Sequence, residues 1–143
     1  MMLSMQVQTY RDILLTITRG SYKGTFINAK PLLLLTVIKA IENKKVIDNK
    51  IYFSKEIEKA YKEITKEYGF PVTPFFKPYY YLSYESFWHL KWRTIAYNEQ
   101  HPSPKFLREN IEFAYLDDVL WNVLQDQGTR DLFIKSIEDY YLK

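Results

Sequence analysis

The sequence predicts an α+β fold: one mostly helical domain over residues 1–143 with a small antiparallel sheet, in a winged-helix-like arrangement. Several stretches place apolar residues at helical spacing, and shorter ones alternate large and polar side chains as strands do. Glycine and proline clusters separate these stretches, and no segment repeats. A chain of 143 residues is long enough to bury one core, which favours a single domain.

The N-terminal part predicts two helices joined by a polar loop. Residues 5–18 form an amphipathic pattern, and residues 31–41 are apolar nearly all round, which is typical of a central core helix. The loop over residues 19–25 contains two glycines and the cations Arg19 and Lys23. Flexible basic loops often contact phosphate, although a helix cap followed by a surface loop explains the same residues.

The middle of the chain predicts a strand, a helix and a proline-rich loop. Residues 46–53 suit a short strand, and Ser54 is a good N-cap for the helix that follows. Gly69 ends this helix, and the prolines after it predict a segment without helix up to residue 78.

The segment over residues 77–93 has the most unusual composition of the chain, with seven aromatic residues, three cations and His89. Its alternation predicts two short strands joined by a turn at residues 83–86. One face of this hairpin would be buried, and the other would offer rings and the cations Lys91 and Arg93 to a partner. An aromatic hairpin is also, and more often, simply the core of a small sheet.

The C-terminal part predicts a strand over residues 111–115 among three helices. Ser103 is expected to cap a short helix and Asp117 a second one, which Gly128 would close. Thr129 is then expected to cap the last helix.

The residue types present argue against an enzyme. There is no cysteine, His89 and His101 are twelve residues apart, and no glycine-rich phosphate loop occurs. We therefore expect no catalytic residue, no metal site and no cofactor. The lack of cysteine, of a signal peptide and of a long apolar run predicts a soluble cytoplasmic protein without a membrane partner.

The charge distribution favours a nucleic-acid partner. Residues 1–40 carry five cations against one acid, whereas the last 35 residues carry eight acids against three cations. One basic face is the arrangement expected of a surface that meets phosphates. Lys30, at the start of the apolar helix, either marks an anion site or is a solvated side chain.

Four blocks of sequence, in order, resemble a known family. Ala29-Lys30-Pro31-Leu32-Leu33-Leu34-Leu35 resembles a His-Lys/Arg-Pro-Leu-Leu-Leu-Leu signature of modification-dependent HNH restriction endonucleases. The other three blocks are Ile51-Tyr52-Phe53-Ser54, then Lys77-Pro78-Tyr79-Tyr80-Tyr81-Leu82 with Ser86-Phe87-Trp88-His89-Leu90, and finally Leu116-Asp117-Asp118-Val119-Leu120-Trp121.

The resemblance implies a sulfur-binding domain, the part of those enzymes that recognises DNA with a phosphorothioate backbone. The expected partner is double-stranded DNA, held by cations beside a shallow apolar pocket, with any nuclease domain fused in a longer protein. Ala29, Lys77 and Tyr81 depart from the family's pattern, so general DNA binding without sulfur specificity stays open. The expected DNA-binding residues are Arg19, Lys23, Lys30, Pro31, Lys77, Pro78, Tyr79, Tyr81, Lys91 and Arg93.

Two further hypotheses stay open. The aromatic residues could form the interface of a protein-interaction or assembly domain, and a homodimer is one such assembly. A pocket for a small molecule beneath the aromatic hairpin is the third.

Overall fold

The structure, a computed structural model, describes residues 4–93 and 101–143 and confirms the α+β class. Its helices outnumber its strands, and the strands form two small antiparallel sheets. The helices are Met5–Leu14 (α1), Ala29–Glu42 (α2), Lys55–Glu67 (α3), Phe76–Tyr81 (α4), Pro104–Asn110 (α5), Asp118–Val123 (α6) and Gln127–Tyr141 (α7). The strands are Ser21–Tyr22 (β1), Thr25–Phe26 (β2), Trp88–Trp92 (β3) and Ile111–Leu116 (β4).

Helix α2 is the centre of the core, as its apolar sequence predicts. It is buried at every position from Pro31 to Ile38, and it packs against α3, α4 and α7. Pro31 is the third residue of the helix, where a missing N–H costs no hydrogen bond. The start of α2 is therefore held in place by the whole core.

Strands β3 and β4 pair antiparallel, with Trp88 opposite Leu116 and Leu90 opposite Ala114. Only Ile51 of the predicted strand over residues 46–53 pairs with them: it exchanges backbone hydrogen bonds of 2.7 and 2.8 Å with Ala114. Asn49 extends this contact, because its side-chain amide donates to and accepts from the Leu116 backbone, both at 2.8 Å. Residues 49–51 thus lie along the edge of β4 that is opposite β3.

The predicted aromatic hairpin over residues 77–93 is wrong. Its first half is helix α4, followed by a 3₁₀ turn over Leu82–Tyr84, and β3 pairs with β4 instead. Pro78 lies in the first turn of α4, so it does not prevent a helix. The buried residues Phe75, Tyr79 and Leu82 follow the i, i+4, i+7 spacing of a helix, which the dense aromatic composition conceals.

Two helix starts differ from the prediction near the C-terminus. Asp126, not Thr129, caps α7, because its carboxylate accepts from the backbone N–H of Thr129 at 2.9 Å. Gly128 lies in the first turn of α7 and does not close α6. Asp117 precedes α6 without a capping side-chain hydrogen bond.

The predicted caps at Ser54 and Ser103 are confirmed. The Ser54 hydroxyl accepts from the N–H of Ile57 at 3.2 Å, and the Ser103 hydroxyl accepts from Phe106 at 3.1 Å. Each satisfies a backbone donor that the helix itself leaves unpaired.

The loop over residues 19–25 contains a hairpin that the sequence did not predict. Strands β1 and β2 are joined by Lys23 and Gly24, whose φ angles of 51° and 80° are both in the left-handed region. Two such residues are the pattern of a type I′ turn, the usual connection of tight hairpins.

Within the part of the chain that the structure describes, each helix is too short or too polar to cross a bilayer.

Candidate nucleic-acid interface

Arg19, near the start of α2, is held by three contacts. Its guanidinium carbon lies 4.0 Å from the ring centre of Phe26 and 4.8 Å from that of Tyr141. It also donates a hydrogen bond of 2.9 Å to the side-chain oxygen of Asn28, the residue that precedes α2. Two rings and an acceptor hold the guanidinium at a defined place and leave most of its five N–H donors for a ligand.

A cleft of about 840 Å³ surrounds Arg19. Its lining residues come from the hairpin β1–β2, the start of α2, residues 70–73 and the end of α7. The side chains that line it combine cations with apolar groups. Those used below are Arg19, Lys23, Phe26, Ile27, Tyr140 and Lys143.

Rings at the cleft are unusually exposed for their size. The exposed fraction is 67% for Tyr22, 58% for Phe26 and 59% for Tyr140. The ammonium nitrogen of Lys23 lies 5.3 Å from the ring centre of Tyr22. Cations and rings therefore share one surface, which is the combination that nucleic-acid binding requires.

Lys30 lies beside this surface but already has a partner. Its ammonium group contacts the Glu85 carboxylate at 2.9 Å, and both side chains are mostly buried. The pair joins the first turn of α2 to the loop that follows α4. Lys30 therefore holds two elements together, whether or not it also meets a phosphate.

Three of the expected DNA-binding residues lie in the core. Pro31, Pro78 and Tyr79 are buried, and the Tyr79 hydroxyl donates to the Ile51 carbonyl at 2.6 Å. Burial raises the pKa of Tyr79 well above its ordinary value, since the phenolate would lose its water. These residues shape the fold around the site and present no surface to a ligand.

The remaining expected residues are spread over the surface. Lys77 is exposed on α4, while Tyr81 is half-buried in a cluster with Tyr80 and Tyr84 at ring-centre distances of 5.2 and 5.4 Å. Lys91 and Arg93 are exposed, on β3 and just after it. Of the ten expected residues, the cleft brings together Arg19 and Lys23.

Sequence reasoning missed a hydrogen-bonded group at the end of β4. One Asp117 oxygen lies 2.5 Å from Nε2 of His89, and the other accepts from the hydroxyl of Tyr10 at 2.6 Å. Burial, the hydrogen bond to Asp117 and its negative charge together raise the pKa of Tyr10 to about 12. The sequence predicts only a helix cap at Asp117, because no local pattern connects it to His89 and Tyr10, which lie 28 and 107 positions earlier.

In the described ranges, no three His, Asp or Glu side chains converge in a way that could hold a metal ion.

Comparison of this chain with family models and with curated proteins finds no match to either.

Proposed function

We propose that this chain is a DNA-binding module that holds the backbone of double-stranded DNA in the cleft at the start of α2 and prefers a phosphorothioate there. The observation that supports it is the cleft itself, in which Arg19 and Lys23 stand beside exposed apolar side chains. The chain would contribute recognition and no catalysis.

The chemistry of a phosphorothioate fits such a lining. Sulfur is larger and less well hydrated than the oxygen it replaces, so apolar groups can favour it, while the linkage keeps its negative charge. Phe26 and Ile27 offer exposed apolar surface within the cleft, and Arg19 offers charge and hydrogen bonds. The two requirements meet at the helix start that the sequence resemblance indicates.

The position of Arg19 also supports the proposal. Its stacking on Phe26 and Tyr141 orients the guanidinium before a ligand arrives, and a pre-oriented fork loses little entropy when it binds a phosphate. Lys23 and Lys143 add positive charge to the lining of the cleft, and Lys143 is also paired with Asp139 at 2.8 Å.

A titration of two duplexes tests the proposal. They have the same sequence and differ by one phosphorothioate linkage, and each is measured over a series of salt concentrations. We expect tighter binding of the modified duplex. We also expect Arg19→Gln and Lys23→Gln each to weaken binding and to reduce the slope of log affinity against log salt by about one.

Lys105→Gln is the matched control, because Lys105 is an exposed lysine on α5 outside the cleft. It should leave both affinity and slope unchanged. Equal binding of the two duplexes would remove the sulfur preference and leave backbone binding. No binding to either duplex would refute the proposal. Lys30→Ala is a poorer test, since it also leaves Glu85 without its partner.

The exposed rings favour a second candidate function, a protein-interaction module. Tyr22, Phe26 and Tyr140 together offer the aromatic surface that is common at the centre of protein interfaces. Salt separates the two functions, because phosphate binding weakens steeply with ionic strength and an aromatic interface does not.

A further inference from the structure

The outer face of the β3–β4 sheet carries a continuous row of rings. Its members, named here the aromatic row, are Tyr52, Phe113, Tyr115 and His89. Ring-centre distances along it are 6.0 Å from Tyr52 to Phe113, 6.1 Å from Phe113 to Tyr115, and 5.1 Å from Tyr115 to His89. None of these residues lines the cleft at the start of α2.

The sheet register explains why the rings share a face. Trp88, at the start of β3, has an exposed fraction of 0%, so it faces the core. Successive side chains of a strand point to opposite faces, which turns His89 and Lys91 outward. Their partners in the register are Tyr115 and Phe113. Tyr52 joins them because it follows Ile51, whose side chain is buried and whose backbone pairs with β4.

Cations stand on both sides of the row. The ammonium nitrogen of Lys50 lies 5.4 Å from the ring centre of Phe113. Lys91 is the register partner of Phe113 on the opposite side and is exposed. Arg93, just past the end of β3, is also exposed. Phe113 is thus flanked by positive charge from both neighbouring backbone segments.

Two acids, Asp117 and Glu112, also lie near the row. Both carboxylate oxygens of Asp117 contact neighbours, His89 and Tyr10, and this contact holds the His89 ring in the row. Glu112 is exposed at the irregular end of the β3–β4 pairing. The middle of the row, at Phe113, has two lysines beside it.

We propose that the aromatic row binds single-stranded nucleic acid, with unpaired bases stacked on its rings and the backbone held by Lys50 and Lys91. Every base has a flat π-face, so stacking does not depend on sequence. Aromatic rings on a sheet, with cations beside them, are suited to stack unpaired bases. Tyr52, 51% exposed at the edge of the row, is the most accessible ring for a base. A duplex conceals these faces, so this surface and the cleft take different forms of nucleic acid.

Binding of short labelled single strands tests this inference. An oligothymidylate and an oligouridylate are compared with an oligomer of equal length that has the sugar–phosphate backbone but no bases. We expect both base-bearing strands to bind and the base-free strand to bind at least tenfold more weakly. Comparing the affinities for the oligothymidylate and the oligouridylate shows whether the surface prefers DNA or RNA.

Variants locate the binding. Tyr52→Leu should weaken oligothymidylate binding by about tenfold, the effect of losing one stacked base, and Lys50→Gln should lower its salt dependence. Tyr84→Leu is the control, because Tyr84 is an exposed tyrosine outside both the aromatic row and the cleft lining. It should bind as the unsubstituted chain does.

Three results would overturn the inference: equal binding of the base-free strand, unchanged binding by Tyr52→Leu, or an equal loss in Tyr84→Leu. Arg19→Gln separates it from the proposed function. That variant should weaken duplex binding and leave single-strand binding intact. A loss of both would mean that the single strand binds in the cleft, which would refute binding at the aromatic row.

Discussion

The two small sheets of this protein have opposite environments. The hairpin β1–β2 has two residues in each strand, and all four are exposed. Strand β3 starts from a fully buried Trp88, and β4 has three buried positions, at Ile111, Ala114 and Leu116. An isolated two-stranded hairpin is marginally stable in water, whereas a sheet with an apolar face on a core is stable.

The difference decides how each sheet can present its rings. Phe26 and Tyr22 are held by local contacts with Arg19 and Lys23, so they can adjust to a ligand at little cost. Phe113 and Tyr115 are placed by the register of a core strand. We therefore expect the hairpin rings at the cleft to be adaptable, around an Arg19 that Tyr141 and Asn28 also hold, and the aromatic row to be rigid.

The largest expected effect is the difference in unfolding free energy between Trp88→Ala and Phe26→Ala. Truncating a buried aromatic side chain costs about 3–5 kcal/mol of unfolding free energy, and the Trp88 indole also donates to the Tyr79 carbonyl at 3.0 Å. Phe26→Ala should cost about 1 kcal/mol or less, mainly its contact with Arg19. Urea denaturation of both variants measures this, and similar losses would show that the hairpin is part of the core.

If Trp88→Ala does not fold, Trp88→Phe replaces it in the comparison. The loss of unfolding free energy should then be smaller, since phenylalanine keeps an aromatic ring and loses only the indole hydrogen bond and part of the buried volume.

Alkaline pH should destabilise the folded protein through two tyrosines, one in α3 and one in α1. The pKa of Tyr61 is raised from 10.0 to about 12, mainly by burial, and that of Tyr10 to about 12 as well. A raised pKa in the folded state means that the stabilisation is complete below pH 10 and is lost as the pH rises through 12. The urea midpoint should be flat up to pH 10 and then fall.

Tyr10→Phe should remove part of this decline, because the variant has no phenol to ionise beside Asp117. Ultraviolet absorbance of phenolate, recorded in the same samples, measures the ionisation. A urea midpoint that stays constant from pH 10 to pH 12 would contradict the assignment.

The smallest expected effect concerns the turn of the hairpin. Gly24 has a φ of +80° and open space around its missing side chain, so Gly24→Ala is penalised by backbone conformation alone, by about 1 kcal/mol. This cost should appear as weaker duplex binding with little change in the global unfolding free energy, since the hairpin is outside the core.

Gly20→Ala is the control for this turn. A Cβ at that position would lie 3.7 Å from Ile27, an ordinary contact, and its φ is not in the left-handed region. Duplex titration and urea denaturation of both variants provide the comparison. A large fall in unfolding free energy for Gly24→Ala would contradict the local character of the hairpin.

The sequence predicts best those features that are coded locally. The apolar run of α2 and the serine caps at Ser54 and Ser103 need only neighbouring residues, and all are found. Helix α4 was missed because aromatic residues favour strands by composition, while the spacing of Phe75, Tyr79 and Leu82 is helical. Composition and periodicity disagreed there, and packing against α2 decided the outcome.

The candidate site depends on contacts that are distant in sequence. Arg19 and Lys23 were predicted from their loop, but the ring of Tyr141 that orients Arg19 comes from the other end of the chain. Lys30 was predicted as a helix-start cation, and its ion pair with Glu85 spans 55 residues. Pro31, Pro78 and Tyr79 matched the family pattern in type, yet burial depends on tertiary packing that a motif does not specify.

The amide of Asn49 has a consequence for self-association. An unpaired strand edge is a template on which a second chain can add a strand. Asn49 and Ile51 together occupy the backbone groups of Leu116 and Ala114 along the edge of β4 that faces away from β3. A second copy could add a strand at this edge of β4 only by displacing residues 49–51.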